Sequence, residues 1–286
     1  MIKFRLFAIA FFVQVAILSS SCVNSNNELI LKDVVYGDDV NMQTMDVYLI
    51  ADRTGNTPFI ILVHGGGWLS GDKEDANFMV DACLSNGINV VNINYRLASS
   101  DLHYEDIMKD IDAAIDLIQR NEDNWNVRKD NYIFWGGSAG GHLAMLYAYN
   151  YDKRNVISAV ITLGAPIKLD GLRVEHGAKQ SDLEGLLPVI TGKPWSSDST
   201  LLSEEYKDAS PYYGKRFVPT LLVHGEKDDI VPLSQSRMMS EKLKANNVPN
   251  SFIILLGGGH GGENTIEDVS AAADQAMLTW IRKYSN

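Results

Sequence analysis

Two short runs, "FIILVH" (Phe59–His64) and "TLLVH" (Thr220–His224), are apolar at nearly every position. A strand with one wet face alternates apolar and polar residues. A strand that reads as a continuous apolar run has to be covered on both faces. The runs Ile88–Asn94, Tyr132–Gly136, Ala159–Leu163 and Ser251–Leu256 share this character. Helical patterns separate them. Asp106–Asn121 places Ile107, Ile111, Ala114, Ile115 and Ile118 on one stripe, and Ala76–Ser85, Ala139–Asn150, Ser234–Asn246 and Ile266–Tyr284 also read as helices. Strands alternating with helices predict an α/β fold, a mostly parallel sheet with helices on both faces. Two earlier runs, Ile30–Tyr36 and Thr44–Ile50, alternate instead ("TMDVYLI") and predict antiparallel strands with one wet face. That makes eight strands. In such sheets, ligand sites lie beyond the carboxyl ends of the strands.

The chain has 286 residues, enough for one large α/β domain. The pattern breaks between Ala165 and Phe217, where "LEGLLPVITGKPW" (Leu183–Trp195) is apolar without reading as a strand. It resumes at Thr220. The segment 165–217 is therefore expected to be a lid or cap inserted into one domain. At the other end, Lys3 and Arg5 precede "LFAIAFFVQVAIL" (Leu6–Leu18), a run of 13 residues. It is short for a membrane-spanning helix and suits the core of a signal peptide. "SSSC" follows, ending at Cys22. The segment is similar to a bacterial lipoprotein signal, although Ser19 stands where such signals prefer leucine. The expected organisation is a signal peptide over 1–21, a tether over 22–29 with lipid on Cys22, and the α/β domain over 30–286. The protein would then be exported and anchored at the periplasm or cell surface. The net charge is −11, and loss of Lys3 and Arg5 takes it to −13. So acidic a surface disfavours nucleic acid and anionic lipid, which leaves the lipid chain as the only membrane attachment. The other cysteine, Cys83, falls on an expected helix and reads as a small buried apolar residue.

"FWGGSAGGHLA" (Phe134–Ala144) places Ser138 between an expected strand and an expected helix, with Gly136 and Gly140 two residues away on either side. Small neighbours at that spacing allow a tight strand-to-helix turn that presents the serine hydroxyl at the end of the sheet. A serine hydroxyl needs a base to become a nucleophile. Only His260, in "GGGHGG", lies beyond the last expected strand. "HGEKDDIVP" (His224–Pro232) offers Asp228 and Asp229 as the carboxylate that would orient that base. "HGGGW" (His64–Trp68) follows the third strand, where its backbone N–H groups can face a developing oxyanion, as can that of Ala139.

Together with "NYRLA" and "ASPYY", these motifs resemble the α/β-hydrolase esterases and lipases over residues 30–284. The likeness is greatest to bacterial feruloyl- and acetyl-esterase-like proteins and to relatives of hormone-sensitive lipase. The resemblance implies Ser138 as nucleophile, Asp228 as acid and His260 as base, with Gly66, Gly67 and Ala139 as the oxyanion hole. Asp228 is preferred over Asp229 because it lies four residues after His224 and four before Pro232. Gly137 and "SSDLHYED" depart from the usual pattern. The implied activity is cleavage of carboxylic esters through an acyl-enzyme, without metal or organic cofactor, on a small-molecule or oligosaccharide ester such as an acetyl or feruloyl ester. The same three residues also serve amidases and peptidases, and a hydrolase fold can be a catalytically silent binding protein.

Trp68 either walls an acyl pocket or packs, and Trp195 is expected to contact substrate from the insertion. His64 is expected to shape its loop, His142 to pack under the insertion, and His224 to be a structural strand-end residue. His103 and His176 carry no signal. Gly71-Asp72-Lys73 reads as a turn with an ion pair, and Arg96 as an anchor for the loop after the fourth strand. Gly257–Gly259 lacks the Lys-Ser/Thr of a phosphate loop, no glycine pattern supports NAD, and no Cys/His spacing supports zinc.

Overall fold

The computed structural model describes residues 27–172 and 180–285. The signal segment, Cys22, most of the tether and His176 lie outside the described residues. The strands are β1 (Leu29–Val35), β2 (Thr44–Leu49), β3 (Phe59–Val63), β4 (Asn89–Ile93), β5 (Tyr132–Gly137), β6 (Ile157–Leu163), β7 (Thr220–Gly225) and β8 (Asn250–Leu255). Their ends lie within two residues of the expected ones. They form one sheet in the order β1-β2-β4-β3-β5-β6-β7-β8. β2 pairs antiparallel with β1 and β4, and every other pairing is parallel.

The helices are α1 (Asn77–Leu84), α2 (Tyr104–Arg120), α3 (Glu122–Trp125), α4 (Ala139–Leu146), α5 (Gln180–Thr191), α6 (Glu205–Asp208), α7 (Ser234–Ala245) and α8 (Glu267–Tyr284). They cover both faces of the sheet. The larger core holds the apolar stripes of α2, α4, α5 and α7, including Ile111, Leu143, Leu187 and Leu243. The smaller core, on the other face, holds Val80 and Cys83 of α1 with Ala273 and Ile281 of α8. β3 and β7 are buried at every position, as their unbroken apolar runs require. α8 covers its face thinly, since only Ala273 and Ile281 of its eighteen residues are buried.

β2 corrects one expectation. Its alternation implied a wet face, yet all six residues are buried. Asp46 on that face pairs with Lys32 Nζ at 2.8 Å and with Lys73 Nζ at 3.5 Å. A paired carboxylate can be covered where a lone one could not.

The insertion has no sheet strand among its described residues. It contributes α5, which the sequence pattern did not reveal because Gly185 and Pro188 interrupt it. Leu183, Leu187 and Ile190 are buried in the larger core, and Leu186, Val189 and Trp195 pack against it half-buried. Through these residues the insertion is tied to the larger core. His103 Nδ1 lies 2.9 Å from the Val189 carbonyl, which ties the start of α2 to this insertion.

Candidate active site

β5 ends at Gly137 and α4 begins at Ala139, so the whole turn is carried by Ser138, at φ 51° and ψ −124°. A non-glycine residue with positive φ is strained and persists only where its surroundings fix it. Here the Ser138 N–H donates to the Leu163 carbonyl at the end of β6 (2.7 Å), and the Ser138 carbonyl accepts from His142 N (3.1 Å). α4 then crosses the end of β3 at close range. A Cβ at Gly140 would stand 2.1 Å from the Val63 oxygen and 2.5 Å from that of His64, so no side chain fits. The serine is held at the carboxyl end of the sheet with the start of α4 directly behind it.

Asp228 lies on the loop after β7 with its side chain fully buried. One carboxylate oxygen, Oδ1, accepts from the backbone N–H of Ile230 (2.9 Å) and Val231 (2.8 Å). The other, Oδ2, lies 2.8 Å from His260 Nδ1 and 3.1 Å from His224 Nε2. Burial alone would raise its pKa, but the hydrogen bonds from His224 and His260 outweigh burial and hold the carboxyl well below the usual carboxylate range. Asp228 is therefore an anion at neutral pH. An anionic partner at Nδ1 fixes His260 as the Nδ1–H tautomer, which leaves the Nε2 lone pair to accept a proton. Gly164, with φ +58°, completes this arrangement: a Cβ there would lie 3.1 Å from Asp228 Oδ2 and 3.3 Å from His260 Nδ1. Asp229 is exposed and takes no part in the pair.

His224 is more than a strand-end residue. Its ring is fully buried, with Nδ1 2.7 Å from Ser236 Oγ and Nε2 2.9 Å from the Val231 carbonyl. These neighbours assign the proton to Nε2, shared between the Val231 oxygen and Asp228, with Nδ1 accepting from the Ser236 hydroxyl. The available sequence signal was the four-residue spacing in "HGEKD", which returns both side chains to one side of the turn.

Ser138 and His260 line one pocket of about 200 Å³, together with His64, Gly65, Phe78 and Trp135. Gly65 brings the loop after β3 against the elbow, its Cβ position 3.5 Å from Ser138 Cβ. His64 shapes this loop as expected. Its ring stacks on Tyr95 at 4.3 Å, and Tyr95 Oη donates to the His64 carbonyl at 2.9 Å. Gly66 and Gly67 continue the loop with positive φ, and Leu186 of α5 packs directly on Gly67.

Of the two readings of Trp68 the structure shows packing, and Trp195 stands outside the lining of the Ser138 pocket. Trp68 is 1% exposed and belongs to the core. Its Nε1–H donates to His142 Nδ1 (3.1 Å), and His142 Nε2 lies 2.6 Å from the Ala209 carbonyl. Burial pushes His142 down to about 4, so the neutral ring can accept on one nitrogen and donate from the other. This relay joins the loop after β3, α4 and the insertion. Trp195 is half-buried against Tyr206, their ring centroids 5.6 Å apart, and does not line the Ser138 pocket. An aromatic side chain in a loop can bury itself either way, and here Trp195 packs against the larger core.

Two further expectations hold. Asp72 accepts from Asn94 Nδ2 (2.8 Å) while Lys73 pairs with Asp33 (2.8 Å), a turn with an ion pair. Arg96 Nε donates to both oxygens of Asp110 on α2 (3.1 and 2.9 Å), anchoring the loop after β4. Among the described residues, no group of three or more His, Cys, Asp or Glu side chains is placed to hold a metal ion, and no helix is long and apolar enough to cross a membrane.

A mostly parallel eight-stranded sheet, a strained serine elbow and an Asp–His pair on the next loops together define an α/β-hydrolase. Solved structures with the same fold include the truncated form of a carbohydrate esterase from gut microbiota (TM-score 0.72, 20% identity, covering 92% of this chain and 98% of that one). Another is the carboxylesterase EstE1 from a metagenomic library (TM-score 0.73, 19% identity, covering 91% and 89%). The chain belongs to the BD-FAE family, whose model matches residues 45–243. Among curated relatives, Esterase LipC of Mycobacterium tuberculosis is 27% identical over 243 residues, 80% of this chain and 59% of LipC. The versiconal hemiacetal acetate esterase of Dothistroma septosporum is 30% identical over 239 residues, 76% of this chain and 70% of that protein. The chain spans little more than half the length of its mycobacterial relatives.

Proposed function

We propose that this protein is a serine esterase that cleaves carboxylic esters through an acyl-enzyme on Ser138. The observation that carries the proposal is the 2.8 Å contact between buried Asp228 and His260, with His260 and Ser138 lining one pocket. His260 Nε2 takes the proton of the Ser138 hydroxyl as its oxygen bonds to the ester carbonyl carbon. The carbonyl oxygen becomes an oxyanion, received by backbone N–H groups of Gly66, Gly67 and Ala139. The imidazolium, stabilised by Asp228, returns the proton to the leaving alcohol. Water then attacks the acyl-serine by the same route, restoring the hydroxyl.

Acylated carbohydrate fragments are the proposed natural substrates, supported by the solved carbohydrate esterase with which this chain shares its fold. Export and lipid anchoring through Cys22 complete the proposal, on the strength of the apolar run Leu6–Leu18 and the small residues after it.

The test is a panel of matched esters and amides, with acetylated and feruloylated oligosaccharides beside p-nitrophenyl acetate. Ester hydrolysis that disappears in Ser138→Ala, with little turnover of the amides, is the expected result. Amide turnover exceeding ester turnover would overturn the proposal.

A further inference from the structure

The pocket at Ser138 has a larger neighbour. A cavity of about 520 Å³ lies between α1 and α8 on the smaller-core face of the sheet, walled by Met79 and Cys83 of α1 and by Ala273, Met277 and Leu278 of α8. Four residues, Phe78, Trp135, Leu163 and Gly261, line both this cavity and the Ser138 pocket. The shared wall is attached to the reacting groups. Gly261 follows His260 in the chain, and the Leu163 carbonyl holds the Ser138 N–H. Phe78 is 62% exposed and meets Trp135 edge to face, centroids 5.7 Å apart.

Volume and chemistry narrow what this space is for. Pockets for small molecules usually enclose about 300–1,000 Å³. The pocket that the described residues form at Ser138 falls below that range, and the neighbouring cavity lies within it. Its lining is mostly apolar, with Asn86, Ser270 and Asp274 as its polar side chains. Lining of that kind offers a sugar hydroxyl few partners and an alkyl chain extensive contact.

We infer that the α1–α8 cavity receives an apolar chain of the ester substrate while the carbonyl lies at Ser138. The inference rests on the esterase reading of that site, not on its carbohydrate substrate, and gives it a substrate class, esters with an apolar chain. The same apolar chain can belong to the acyl group or to the alcohol, and the test separates the two.

The experiment measures kcat/KM on the full chain for p-nitrophenyl esters from acetate to decanoate, and for alkyl acetates from methyl to octyl. In one series, kcat/KM should rise about threefold to fourfold per added methylene until the chain fills the cavity. The series that rises identifies which side of the bond enters the cavity. Ala82→Trp and Ser270→Trp, one from each helix and both at residues lining the cavity, should each lower the long-to-short ratio of that series at least tenfold. Gln275→Trp, on α8 but outside the lining, should keep the wild-type ratio. Flat series on both sides would overturn the inference, as would a wild-type ratio in both plugging variants or an equal loss in Gln275→Trp. Absence of hydrolysis of every ester, acetate included, would instead overturn the esterase reading on which the inference rests.

Discussion

His224 Nε2 lies 3.1 Å from Asp228 Oδ2, and both side chains are fully buried. The oxygen it touches is the one that holds His260, so two imidazoles converge on one carboxylate atom. On the proposed mechanism His224 is a positioning residue for the acid, acting through Asp228. A hydrogen bond to a charged group contributes about 1.5–3 kcal/mol. His224→Leu should lower kcat about tenfold to a hundredfold with KM little changed. His224→Gln, whose amide nitrogen can reach the position of Nε2, should recover most of that loss. If both variants melt earlier but keep wild-type kcat, the residue is structural only.

Asp228 and Asp229 are adjacent in sequence and opposite in environment. Asp228→Asn removes the anion that fixes the His260 tautomer and should cost about four orders of magnitude in kcat. Asp229→Asn, at an exposed carboxylate, should stay within about twofold of wild type.

The depressed pKa of Asp228 also has a stability signature. A carboxyl whose native pKa lies below its unfolded value stabilises the fold fully above the unfolded value, about 3.9. That contribution is lost as the pH falls from there toward the native value. Denaturant unfolding of wild type and Asp228→Asn, compared at pH 7, 4 and 3, should give a difference that is constant down to about pH 4 and shrinks below it.

Trp195 packs against Tyr206 and the larger core. Trp195→Ala should lower stability by about 1–3 kcal/mol, less than a fully buried tryptophan would cost. The ranking of esters by kcat/KM should be unchanged. A reordered ranking without loss of Tm would return the residue to the substrate.

What could be read from the chain before folding was whatever is local. "FIILV" and "TLLVH" announce strands covered on both faces, and "GGSAGG" announces an elbow, because each constraint acts within a few residues. The Asp228–His260 pair joins residues 32 apart, and the sequence alone left Asp229 in contention until the family resemblance decided. The wet face expected of β2 is dry because the lysines that permit burial of Asp46, Lys32 and Lys73, belong to other segments. Trp68 was undecidable because its partner, His142, stands on a different element. The α1–α8 cavity has no sequence signature, since it depends on how far two helices stand apart.

Cys22 is tested by metabolic labelling with a fatty acid. Label on the wild type and none on Cys22→Ser is the expected result. Equal label on both, or none on either, would remove the anchor and leave the hydrolase intact.

The central claim is that Ser138 becomes the acyl-bearing atom. The most direct measurement is mass spectrometry of the protein after reaction with a fluorophosphonate ester, with and without prior incubation with p-nitrophenyl acetate. The account predicts a single adduct on the peptide containing Ser138, slowed by the competing ester, nearly abolished in His260→Ala and absent in Ser138→Ala. An adduct on another residue, or undiminished ester hydrolysis by the protein lacking the Ser138 hydroxyl, would contradict it.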